Sequence, residues 1–283
     1  MKTIGFVDFY ISEWHAVHYP QWIREACART GKEFAVKYAW AEQDVSPVDG
    51  RTTAQWCEEY GVEQCASIEE LCEKSDYIIV LAPSDPDKHL GYAEKVLPFG
   101  KNTYIDKTFA PDFTTAKKIY ETAERYGTKF FSSSALRYAT ELSEVKNPVT
   151  VHTKGGGGNI AEYIIHQTEM VVKTMNAPAE SVRVELLGEN HYLCNVSFQD
   201  GRVAAMEFYP HFGFEIAWKN EAGESKSTAI TSDTFAGLMD DILLFFESGK
   251  LPFAPEQTLE VMKLREAVLK GVEKLGEQIK VSQ

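Results

Sequence analysis

The sequence has no excess of positive charge, no cysteine pair at metal or redox spacing, no membrane-length apolar run, and no glycine between Gly5 and Gly31. Lys and Arg total 29 against 42 Asp and Glu, a formal net charge of −13. That balance offers no footprint for a phosphate backbone or an anionic membrane surface. Nucleic acid and membranes are therefore not expected partners, and small solutes or other proteins are. The five cysteines, Cys27, Cys57, Cys65, Cys72 and Cys194, are odd in number and form no C-x-x-C pair. This points to reduced thiols rather than disulfides or a zinc site. His15 and His18 stand at i and i+3 without acidic or thiol ligands around them, so no metal is expected. Met1 to Tyr10 carries one Lys, Asp8 breaks its apolar run, and no small-residue cleavage site follows, so the expected location is the cytoplasm.

What is present is an ordinary globular composition, 44% hydrophobic and 25% charged over 283 residues, enough for one large or two medium domains. In the first half, short apolar runs alternate with helical patterns, as in repeated βαβ units. The runs are TIGFVDFY (3–10), FAVKYAW (34–40), YIIVLA (77–82), NTYID (102–106) and KFFSS (129–133). Ser67 with Glu70 forms a capping box, Thr53 is placed to cap the helix that ends at Gly61, and Gly127 closes the helix containing Ala116, Ile119, Tyr120, Ala123 and Tyr126. A parallel sheet with helices on both faces is expected. The second half changes period. HYLCNVSF, RVAAMEFY, FGFEIAW and SKSTAI, separated by QDG and NEAGE turns, read as antiparallel hairpins in which Tyr192, Cys194, Val196 and Phe198 share a face. Two helices close the chain. The stretch 143–159 reads as the loosest. The expected architecture is α/β: a Rossmann-type, doubly wound parallel sheet in domain 1–134, then an α+β domain, 135–283, with a mostly antiparallel open sheet.

Order and spacing from Trp56 to Tyr138 resemble the glucose-fructose oxidoreductase and inositol dehydrogenase (Gfo/Idh/MocA) family. The matching features are Gly61-Val62 before a short acidic helix, a strand ending in Pro83 with His89 a few residues on, Gly100-Lys101, and Asp106-Lys107-Thr108 in place of E-K-P. The glycine run Gly155 to Gly158, followed by Glu162, His166 and Glu169, is similar to the family's glycine run and D-x-x-x-H-x-x-D. The QDG hairpin and the last helix extend the likeness over nearly the whole chain.

The resemblance implies an NAD- or NADP-dependent dehydrogenase acting on a sugar, polyol or related small hydroxylated substrate, and a homo-oligomer formed through the C-terminal sheet. By the same resemblance Lys107, His166 and Glu162 are catalytic, with Glu162, one turn before the histidine, orienting it or binding a substrate hydroxyl. Asp8, Tyr10, Trp40, Pro83, His89 and Asp106 fall at cofactor-binding positions, and Arg137, Tyr138, Gly157 and Glu169 at substrate-binding ones. His89 also reads as a histidine on a helix surface, and Arg137 with Tyr138 as interdomain packing. The residues support this chemistry independently. Histidine exchanges a proton near neutrality, i and i+4 share a helix face, and a lysine ammonium stabilises a developing alkoxide.

The turn after the first strand departs from the pattern. A Rossmann turn uses glycines for a tight bend, close backbone approach to the pyrophosphate and helix-to-strand packing. Here Asp8, Phe9 and Tyr10 follow the strand. At about 6 Å and an effective dielectric of about 20, a carboxylate facing one phosphate charge costs on the order of 3 kcal/mol. That is roughly a hundredfold in affinity. The second strand ends Tyr38-Ala39-Trp40-Ala41 without an acidic residue for a ribose, and Glu42 lies beyond its expected tip. Two readings therefore stand: a dehydrogenase, or a family member that has lost redox chemistry and serves as a small-molecule binding or regulatory protein.

Overall fold

The structure, a computed structural model, describes residues 1–282. It divides into two units, Met1–Ser133 with Leu238–Phe253, and Ser134–Gly237 with the chain from Ala254 onward. In the first, strands and helices alternate: β1 (Lys2–Asp8), α1 (Trp14–Thr30), β2 (Phe34–Ala41), α2 (Thr53–Tyr60), β3 (Glu63–Gln64), α3 (Ile68–Lys74), β4 (Tyr77–Val80), α4 (Lys88–Val96), β5 (Thr103–Ile105), α5 (Phe113–Tyr126) and β6 (Phe130–Phe131). All strands pair in parallel in the order β3-β2-β1-β4-β5-β6. This is the doubly wound order, and its switch point, where ligands of such sheets bind, lies between β1 and β4.

Local chemistry explains the elements. Ile78, Ile79 and Val80 are fully buried, as a strand covered on both faces requires. A Cβ on Gly5 would lie 2.4 Å from Ser75 Oγ and 2.5 Å from Leu71 Cδ2, so glycine is what lets α3 lie against β1. Ser67 caps α3 by accepting from the Glu70 amide, and Gly61 and Gly127 close α2 and α5 in the left-handed region. The cap of α2 is Thr52, not Thr53, because Gln55 stands three residues after Thr52 and completes a capping box with it. Thr53 instead donates to the Asp44 carbonyl.

The second unit contains β7 (Pro148–Gly155), α6 (Ile160–Met175), β8 (Ala179–Gly188), β9 (His191–Phe198), β10 (Val203–Phe208), β11 (Glu215–Asn220) and β12 (Ser225–Ala229). After α7 (Thr234–Ser248) come α8 (Pro255–Glu273) and β13 (Gln278–Lys280). The sheet order is β12-β11-β7-β10-β9-β8-β13, antiparallel except for the pair β7 and β10. Cys194, Val196 and Phe198, with Ala204, Met206 and Phe208, bury one face, against which α6 and α8 pack. The stretch expected to be loose holds a central strand, β7. Its inward positions are Pro148, Val151, Thr153 and Gly155, too mixed in polarity to show a period of two. Residues 238–253 return to the first unit, a crossing that a boundary at 134 does not describe. There Phe246 stacks on Tyr77 with ring centroids 4.8 Å apart, and Phe245 meets Phe131 edge-on at 5.2 Å.

Candidate functional site

The carboxyl end of β1 leads straight into the N-terminus of α1, where this fold seats a pyrophosphate. Asp8 is 1% exposed. Its Oδ1 accepts from the amides of Phe9 at 2.7 Å and Ala82 at 3.0 Å, while Oδ2 has no hydrogen-bond partner. Burial, then the nearby Glu13 charge, raises its carboxyl well above the ordinary range. The repulsion expected of Asp8 is thereby weakened, because a carboxyl so buried is driven toward its neutral form. Phe9 and Tyr10 pack together, ring centroids 5.6 Å apart. Glu13 is the N-cap of α1, accepting from the His15 amide at 2.8 Å and the Ala16 amide at 2.5 Å. The turn is also roofed by its neighbour loop. Ser12 donates to Asp49 at 2.7 Å, Ser46 donates to the Ser12 carbonyl at 2.7 Å, and the Gln43 amide donates to the Phe9 carbonyl at 2.7 Å.

At the tip of β2 the strand runs to Ala41, and Glu42 follows it directly, just beyond the tip as the sequence implied. Lys88 Nζ donates to Glu42 at 2.6 Å and Tyr92 Oη at 2.8 Å, and the lysine holds the carboxyl below its usual range. Lys88 Nζ also lies 4.3 Å from the Phe9 ring centroid, and half-buried Trp40 meets Tyr92 edge-on at 6.0 Å. His89 corrects both sequence readings. It is fully buried rather than on a surface or facing a ligand, with Nδ1 3.0 Å from the Phe109 carbonyl and Nε2 against the Leu81 carbonyl. The side chain ties α4 to the end of β4.

At the end of β5, Asp106 is buried, and Oδ2 lies 2.5 Å from His15 Nδ1. Its Oδ1 accepts from Tyr19 at 3.3 Å, Tyr104 at 3.2 Å and the Lys107 amide at 2.8 Å. Burial would raise this carboxyl, but the His15 imidazole and the Lys107 ammonium more than offset it and hold it low. Asp106 thus works inside the fold, pinning α1 to β5, which corrects its assignment to cofactor contact. Lys107 remains half-buried, its Nζ 3.5 Å from the carbonyl of buried Pro83, and the Lys107–Thr108 peptide is cis.

In the second unit, α6 begins at its Asn159 cap, which accepts from the Glu162 amide. The Glu162 carboxylate lies 3.4 Å from Asn159 Nδ2, whereas His166 Nδ1 pairs with Ser134 Oγ at 2.6 Å. The expected orienting partner of His166 is therefore Ser134, not Glu162. Ser134 also accepts from the Leu136 amide and donates its own amide to Glu169 at 3.2 Å. Glu169 and Arg137 form a buried ion pair at 2.9 Å, with side chains 3% and 5% exposed. Burial pushes the Glu169 carboxyl up and Arg137 pulls it back. Both residues brace Ser134 instead of lining a substrate surface. Tyr138 packs on Gly237, where a Cβ would come within 2.8 Å of its own. The glycine run is equally a packing device. A Cβ would lie 1.8 Å from the Tyr209 carbonyl at Gly156 and 2.0 Å from the Tyr163 ring at Gly157, so the chain itself fills the space assigned to substrate.

The residues that sequence reasoning missed are Glu13, Ser134, Lys88 and His15. Glu13 had a visible signal. The spacing of G-x-G-x-x-G, begun at the strand end, falls on Asp8, Tyr10 and Glu13. With all three glycines replaced and the helix amides already donating to a carboxylate, these residues do not fit a pyrophosphate on the N-terminus of α1.

Residues 41–134 match the model of the Gfo/Idh/MocA family, described as an oxidoreductase family with an NAD-binding Rossmann fold. The resemblance carried by Gly61-Val62, Pro83 and Asp106-Lys107 is borne out over that stretch. Among curated proteins no sequence matches. Solved structures match over the whole chain. A myo-inositol dehydrogenase from Lactobacillus casei in complex with NAD(H) and myo-inositol has a TM-score of 0.80 at 11% identity, covering 100% of this chain and 97% of that one. A myo-inositol dehydrogenase from Corynebacterium glutamicum has 0.77 at 12%, covering 100% and 99%. An NAD binding oxidoreductase from Klebsiella pneumoniae has 0.76 at 12%, covering 100% and 99%. At such identities the likeness is one of fold.

Proposed function

We propose that this chain is an oxidoreductase acting, with NAD or NADP, on a hydroxyl-bearing carbon of a sugar, polyol or related small molecule. The observation that carries the reading is Lys107. It stands half-buried at the carboxyl end of β5, in the family-matched segment, with its amide held by a buried carboxylate. Side chains at the carboxyl ends of such strands are where this fold places its chemistry. Oxidising an alcohol requires its hydroxyl proton to leave, and the lysine ammonium would stabilise the alkoxide as it forms. His166 is the proton acceptor in this reading. The Ser134 contact to Nδ1 fixes the ring's orientation. The homo-oligomer belongs to the same reading and would use the solvent face of the second sheet, where Val203 and Leu187 stay 45% and 50% exposed.

The experiment is a screen of sugars and polyols with both nicotinamide cofactors, followed by variants on any active pair. Lys107→Ala should lower turnover by about a hundredfold or more. His166→Asn should flatten the acid limb on which oxidation falls as the imidazole protonates. Ser134→Ala, a positioning change, should shift that limb while leaving KM within about twofold. Wild-type turnover in Lys107→Ala, or an unaltered pH profile in His166→Asn, would refute the assignment.

A further inference from the structure

Glu13 stands where the nucleotide fold expects an external anion. The N-terminal amides of α1 are the donors that make a helix end an anion site, and two of them, on His15 and Ala16, donate to the two Glu13 carboxylate oxygens. Glu13 is only 8% exposed. The three positions of the G-x-G-x-x-G spacing are Asp8, Tyr10 and Glu13. The first has an Oδ2 that is buried without a hydrogen-bond partner, the second brings a ring against Phe9, and the third supplies the charge. The Asp49 and Ser46 contacts to Ser12 close the turn from outside.

We infer that the Glu13 carboxylate is an internal replacement for the cofactor's pyrophosphate, so that a dinucleotide and Glu13 compete for the N-terminal amides of α1. The inference rests on the nicotinamide-dependent reading above and sharpens it. A bound dinucleotide must either displace Glu13 from the helix or lie off the helix end, and in both cases affinity is lost. Adenine- or ribose-directed contacts at Glu42 and Trp40 are untouched by this competition, because they lie at the tip of β2 and not at the helix end. The penalty therefore attaches to the pyrophosphate, and adenosine, which has none, escapes it.

Calorimetric titration of NADH, NADPH and adenosine against the full-length wild type, Glu13→Gln and Glu13→Gly tests this. Glu13→Gln removes the charge and keeps an oxygen on the helix amides, which protects the fold if Glu13→Gly proves unstable. The expected result is dinucleotide binding at least tenfold tighter in Glu13→Gln, about 1.4 kcal/mol, tighter again in Glu13→Gly, and adenosine affinity unchanged across the three. Wild-type binding of either dinucleotide at micromolar affinity or better, with no gain in the variants, overturns the inference and leaves the dehydrogenase reading standing. No dinucleotide binding by any of the three folded proteins overturns both. An equal gain for adenosine overturns the inference by showing that the change opened the cleft in general.

Discussion

Removing either member of the Arg137–Glu169 pair should destabilise the protein more than removing both. The two side chains are 5% and 3% exposed and 2.9 Å apart. At that distance and an effective dielectric of about 20, their attraction is about 6 kcal/mol. Taking each ion out of water costs several kcal/mol, so the pair contributes little net stability while each partner depends on the other. Glu169→Leu leaves a buried guanidinium without its carboxylate, and Arg137→Met leaves a buried carboxylate without its cation. Each should cost about 3–5 kcal/mol, whereas the double variant should fall within about 1–2 kcal/mol of wild type. Urea unfolding followed by far-UV circular dichroism measures all four corners of the cycle. Because Glu169 also accepts the Ser134 amide and Ser134 contacts His166, the double variant should recover stability yet still show reduced turnover on an active substrate. Single variants that each cost under about 1 kcal/mol, or a double variant whose cost is their sum, would refute the reasoning.

Asp8 predicts a pH dependence of stability. Its folded carboxyl is raised above 3.8 by burial and then by Glu13, so the folded state holds this proton more tightly than the unfolded chain. That stability is complete below the unfolded value and is lost as pH rises toward the folded one. Melting temperature should therefore fall above pH 4 more steeply in wild type than in Asp8→Asn, which keeps an acceptor for the Phe9 and Ala82 amides; parallel profiles would exclude it. In the glycine run, Gly156→Ala should cost about 1–3 kcal/mol, since its Cβ would lie 1.8 Å from the Tyr209 carbonyl. Gly158→Ala, whose nearest neighbour would be 3.6 Å away, should stay within about 0.5 kcal/mol of wild type on denaturant titration.

The sequence alone determined the alternation of strands and helices in the first 133 residues, the hairpins after His191 and the family likeness around Asp106-Lys107. These follow from local periodicity, caps and turns, which a chain carries in neighbouring residues. It also showed that the glycines after β1 were gone. What it left undecided depends on partners distant in the chain. His15 meets Asp106 and Ser134 meets His166, pairings that no spacing encodes. β7 was hidden because its inward residues include a proline, a threonine and a glycine, so burial there is set by neighbouring strands and not by apolarity. The return of residues 238–253 to the first unit was equally silent, since apolar residues on a helix declare that they will be buried without saying against what. Asp8, Asp106, Arg137 and Glu169 looked like ligand contacts because the family resemblance put them at ligand positions and charged residues usually face water. Tertiary structure decided otherwise by enclosing each one with the donors, acceptors or opposite charge around it, and an ionisable group so enclosed serves the fold before it can serve a substrate.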